Sequence, residues 1–111
     1  AQESPILEMI QMVNLNSIQR HNVDGPKQLI VLSDLLQNSK LLSMYKSVPT
    51  FEAFNATSYA QKVKSNFEGV EIKVHLLQNA PNLQKQNLFD FWKKYFESSG
   101  ASTYELLLLP G

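Results

Sequence analysis

A chain of 111 residues carrying ten basic and ten acidic side chains, a formal charge of +0 and no cysteine has room for one domain, residues 1–111, built on a single core. Balanced, dispersed charge gives no field favouring nucleic acid or an anionic membrane surface, and the lack of cysteine excludes disulfides and thiolate metal sites while leaving the cellular compartment open. The longest apolar stretch, Leu106 to Leu109, is far below the roughly 20 residues of a membrane helix, so no membrane insertion is expected.

In chain order, Ser4-Pro5 opens the first element. Serine suits a helix N-cap and proline the first turn, and Ile6, Met9, Ile10 and Val13 follow at helical spacing, predicting an amphipathic helix that ends near Ser17. Val23-Asp24-Gly25-Pro26 signals a turn. Leu29 to Leu32 is then a continuous apolar run, which predicts a central strand of a parallel sheet, buried on both faces. The crossover after it is long and mixed; Tyr59, Ala60, Val63 and Phe67 carry a helical stripe, and a helix is expected over about Thr57 to Asn66.

Beyond Gly69, β-branched and polar residues alternate from Val70 to Leu77, the pattern of a strand with one drier face. Asn79-Ala80-Pro81-Asn82 reads as a loop, with Asn82 as N-cap of a helix bearing Leu88, Phe91, Trp92, Tyr95 and Phe96. Gly100 closes that helix at the position favouring a left-handed residue. Tyr104 to Leu109 is the third strand. Parallel neighbours cannot be joined by tight hairpins, so the order helix, strand, helix, strand, helix, strand predicts a parallel sheet with right-handed crossovers and the second strand central. The fold class read from this order is α/β, with a mainly parallel three-stranded sheet flanked by helices.

Ser33-Asp34 ends the apolar strand at the place where ligands gather in open α/β sheets. Aspartate there also accepts backbone hydrogen bonds in the turn leaving a strand, and that structural role is the preferred reading. His21 lies in a polar segment and His75 shares the polar register of Glu71 and Lys73, so both read as surface side chains without catalytic partners. The sequence contains neither a Gly-x-Ser-x-Gly elbow nor a phosphate-binding glycine loop, and no cofactor is expected. The run Phe89, Phe91, Trp92, Tyr95 and Phe96 reads mainly as core.

The segment Ser33-Asp34-Leu35-Leu36-Gln37-Asn38-Ser39, with Phe91-Trp92-Lys93-Lys94-Tyr95-Phe96 before Ser99-Gly100-Ala101, resembles the later half of a von Willebrand factor A-like domain. The resemblance implies a three-layer, Rossmann-like fragment holding the last three strands of a six-stranded sheet, in a family used mainly for binding other proteins. It also implies a divalent-metal role for an aspartate in the position of Asp34, with Ser33 beside it. The Asp-x-Ser-x-Ser loop that completes such a site is absent here, and Leu35 stands where the family has glycine. Mg²⁺ is therefore expected only if an earlier segment supplies the other ligands. The resemblance also implies that a partner strand belongs beside the first strand, whose open edge invites another chain or a second copy.

The resulting expectation is a non-enzymatic protein-interaction module, working with a protein partner or by self-association through that edge. The alternative is a metal-dependent binder or enzyme subunit whose site at Asp34 is completed by another chain. A phosphoacceptor receiver domain ranks last, because no acidic pair accompanies Asp34 and the third strand ends in Leu109-Pro110 rather than lysine.

Overall fold

Three parallel strands lie side by side in chain order in the computed structural model, which describes residues 3–19 and 26–109. They are β1 (Lys27–Ser33), β2 (Val70–Leu76) and β3 (Thr103–Leu108), with β2 central. Register is continuous, Leu29 facing Ile72 and Ile72 facing Tyr104. The helices are α1 (Ile6–Val13), which continues into a π-helical turn over Asn14–Gln19, then α2 (Phe51–Asn55), α3 (Ser58–Lys62) and α4 (Gln86–Ser98). His21 and the expected turn at Val23-Asp24-Gly25 lie outside the described residues.

The parallel order follows from the sequence. Successive right-handed crossovers that step in one direction across a sheet all return over the same face. Val70, Ile72, Val74 and Leu76 of β2 are buried beneath Leu88, Phe91, Trp92, Tyr95 and Phe96 of α4 and Ile6, Leu7 and Ile10 of α1, in one apolar cluster. The opposite face, with Gln28, Ile30, Leu32, Glu71, Thr103, Glu105 and Leu107, is exposed. Of the layers of a Rossmann-like fold, the described residues thus supply the sheet and one helical layer.

The first strand differs from expectation. It is an edge strand, and its burial alternates: Ile30 is 59% and Leu32 63% exposed while Leu29 and Val31 are half-buried. An apolar run signals burial on both faces only when the tertiary structure supplies a second cover, and here it covers one.

Element ends shift for identifiable reasons. Ser4 does not cap α1; its backbone pairs with Asn38, and Pro5 occupies the cap position with no side-chain bond. The crossover contains two short helices instead of one, because Thr50 and Thr57 each cap a new start, their Oγ1 atoms accepting from Ala53 N and Ala60 N at 3.1 Å.

Helix α3 stops at Lys62, well before Asn66. The buried Asn14 amide accepts from Asn66 N at 3.1 Å and donates to Asn66 O, while Gln11 donates to the carbonyls of Lys62 and Lys64. These side chains take the backbone groups that a longer helix would use.

Asn82 lies in a turn before α4, whose cap position is Lys85. Gly100 does close α4 with φ +92°; a Cβ there would come within 3.2 Å of Glu68 Cα. No helix among the described residues is long and apolar enough to cross a membrane.

Candidate functional site

Two neighbouring features surround β1: the rim where the strand ends, and the open side of the strand beneath α1. At the rim, Ser33 Oγ accepts from Leu35 N at 2.9 Å and Asp34 Oδ1 from Leu36 N at 3.0 Å, so two consecutive side chains shape the turn by the local bonding such residues favour. The other carboxylate oxygen of Asp34 accepts from Asn79 Nδ2 at 3.3 Å. Ser39 does not join them; its hydroxyl pairs with the backbone of Leu42 and lies 3.3 Å from Gln37 Nε2.

The turn forces Leu35 into the left-handed region, φ +61°, although its side chain is fully buried. Glycine would accept that conformation without steric cost. Leucine there trades backbone comfort for core volume. Trp92 Nε1 donates to the Leu35 carbonyl at 2.8 Å and holds the turn against α4.

Gln84, also buried, donates to the carbonyls of Asp34 at 3.0 Å and Leu77 at 2.7 Å, tying the loop after β2 to the rim of β1. Among the described residues no group of three or more His, Cys, Asp or Glu side chains is arranged to hold a metal ion. His75 lies half-buried on the open face of β2, across from Leu32 on one side and Leu107 on the other.

A second polar cluster fixes α1 beside the strand. The fully buried Gln37 accepts from Leu7 N at 2.8 Å and donates to Glu8 Oε1 and Tyr59 Oη, each at 3.1 Å. Tyr59 in turn donates to Glu8 Oε2 at 2.6 Å. Burial, and then the bond to Glu8, raise the Tyr59 phenol well above its ordinary range, so it remains a neutral donor. Two segments distant in sequence, the turn at Gln37 and α3 at Tyr59, thereby set the position of α1.

With α1 held there, an apolar groove of about 210 Å³ runs between the helix and β1, lined by Ile6, Met9, Ile10 and Val13 on one side and Leu29 to Ser33 on the other. Met9 is 58% exposed and Val13 38%. No strand among the described residues pairs with the outer edge of β1.

The direction of its backbone groups follows from the ladder. Ser33 O accepts from Leu77 N at 2.9 Å, so Ser33, Val31 and Leu29 bond toward β2, and alternation turns the N–H and C=O groups of Gln28, Ile30 and Leu32 outward.

Sequence reasoning singled out Ser33, Asp34 and the aromatic helix, and noted the open edge. It missed Asn14, Gln37 and Gln84, because a buried amide looks like any surface asparagine or glutamine until its long-range partners are known. Comparison with family models, with curated proteins and with solved structures gave no match.

Proposed function

We propose that this chain is a non-enzymatic protein-interaction module of von Willebrand A-like type, and that its docking element is the outer edge of β1 with the groove beneath α1. The observation that carries this reading is the coincidence of outward backbone groups at Gln28, Ile30 and Leu32 with exposed apolar side chains at Ile30, Leu32, Met9 and Val13. An added strand gains main-chain hydrogen bonds from the edge and side-chain contacts from the groove, the two ingredients of recognition by strand addition. Asp34 and Ser33 serve in this reading as the turn that ends the docking strand.

Titration of isotope-labelled protein with extended heptapeptides rich in β-branched residues tests the reading. Amide shifts concentrated at Gln28, Ile30 and Leu32, with methyl shifts at Met9 and Val13, are expected. Perturbation confined to other surfaces, or amides at these three positions already protected from solvent exchange in the monomer, would overturn it.

A further inference from the structure

We infer that the occupant of the β1 edge is a second copy of this chain, paired antiparallel about a two-fold axis at Ile30. The inference rests on the edge being the docking element and adds what docks there. With Ile30 facing Ile30 of the other copy, Gln28 faces Leu32 and Leu32 faces Gln28. All three outward-directed residues then meet an outward-directed residue, and each facing pair exchanges both backbone bonds, as an antiparallel ladder requires. Centring the axis on Leu29 or Val31 leaves one of the three without a counterpart on the strand.

Charge favours the same arrangement. The strand begins at Lys27 and is followed directly by Asp34, so antiparallel pairing brings the lysine of one copy beside the Ser33–Asp34 end of the other at both ends of the seam. Parallel pairing would put like charge against like. With a formal charge of +0, the chain also meets no long-range repulsion from its copy.

The strand lacks the usual devices against such pairing. It contains no proline, no interior charge and no break in register.

Size is consistent as well. Ile30, Leu32, Met9 and Val13 are 38–63% exposed in each copy, apolar surface available toward the roughly 800 Å² that each partner contributes to a standard interface. The backbone of β1 and its remaining outward atoms add to that. The product is a continuous six-stranded sheet with two α1 helices roofing the seam.

Sedimentation of the purified chain from micromolar to millimolar concentration is expected to show mass rising toward twice 12.6 kDa. Ile30→Pro removes an outward N–H without touching the ladder to β2, and should remain monomeric. Leu107→Lys, on the same open face but on β3, should dimerise like the wild type. Register is read independently of stability by cross-linking. Ile30→Cys should form an intermolecular disulfide on oxidation, because facing residues of a bonded antiparallel pair lie at a Cα separation that a disulfide spans. Gln28→Cys and Leu32→Cys should cross-link only with each other.

A monomer at millimolar concentration, loss of the dimer on Leu107→Lys, or self-cross-linking of Gln28→Cys would overturn the inference. A monomer whose Gln28, Ile30 and Leu32 amides exchange freely and still take up peptide would leave the docking reading intact while refuting self-pairing. Protection of those amides in a monomer would refute both.

Discussion

The indole Nε1–H of Trp92 donates to the carbonyl of Leu35 at 2.8 Å, joining the middle of the last helix to the turn that ends the first strand. Both side chains are fully buried. Trp92 also packs edge-on against Phe91 and Tyr95, with ring centroids 5.3 and 5.6 Å away. Trp92→Ala should therefore cost about 3–5 kcal/mol, the usual price of emptying such a site. Trp92→Phe should cost less, because it retains much of the volume but leaves the Leu35 carbonyl without its donor, a loss of about 1–3 kcal/mol. Urea unfolding measures both, and a loss below about 1 kcal/mol for the alanine variant would refute this account of the turn.

Leu35→Gly sets two effects against each other. Relief of the left-handed leucine backbone is worth about 1–2 kcal/mol, whereas removing a fully buried leucine side chain costs at least the roughly 2–5 kcal/mol of a truncation to alanine. The glycine variant should be less stable than the wild type. A stabilised variant would mean that the surrounding core collapses onto the vacated space.

The cluster of Gln37, Glu8 and Tyr59 should govern how firmly α1 is held. Gln37→Leu nearly preserves size but leaves the Leu7 N–H without its acceptor, at about 1–3 kcal/mol. Amide exchange in α1 is expected to accelerate more than exchange in α4, and equal acceleration in both helices would count against a local tether.

Alkaline pH should destabilise the protein through its phenols. Burial pushes Tyr95 up to about 12, against an opposing bond with Ser65, and burial followed by the nearby Glu97 carboxylate pushes Tyr104 up to about 12. A native pKa above the unfolded value means that the unfolded chain loses its proton first. Stability is then complete below about pH 10 and falls as pH rises toward 12. Urea midpoints measured across this window should decline, and Tyr95→Phe should flatten the decline. A flat wild-type profile would show that these phenols open to solvent.

Divalent metal should bind the chain weakly. Asp34 offers one carboxylate whose oxygens already accept from Leu36 N and Asn79 Nδ2, whereas Mg²⁺ requires about six oxygens and sheds water reluctantly. Calorimetric titration should give no micromolar affinity. Such affinity, abolished by Asp34→Asn, would establish a site at the rim.

The three strands, their parallel order with β2 central, and the aromatic helix that covers them are legible in the residues alone. These are local patterns: period-two alternation in Val70 to Leu76, helical spacing from Leu88 to Phe96, and crossovers too long for hairpins. The sequence also marked Ser33-Asp34 as the end of a strand, since that chemistry lies in adjacent residues. That β1 buries one face emerges only from its three-dimensional surroundings, because a run such as Leu-Ile-Val-Leu states hydrophobicity and not what stands on either side. The same limit applies to the C-terminal end of α3, where Gln11 and Asn14 take the backbone groups of residues about fifty positions later, and to the left-handed Leu35, anchored by Trp92. Contacts between residues distant in sequence select among conformations that local propensity leaves nearly equal in energy, and those contacts exist only once the chain has folded.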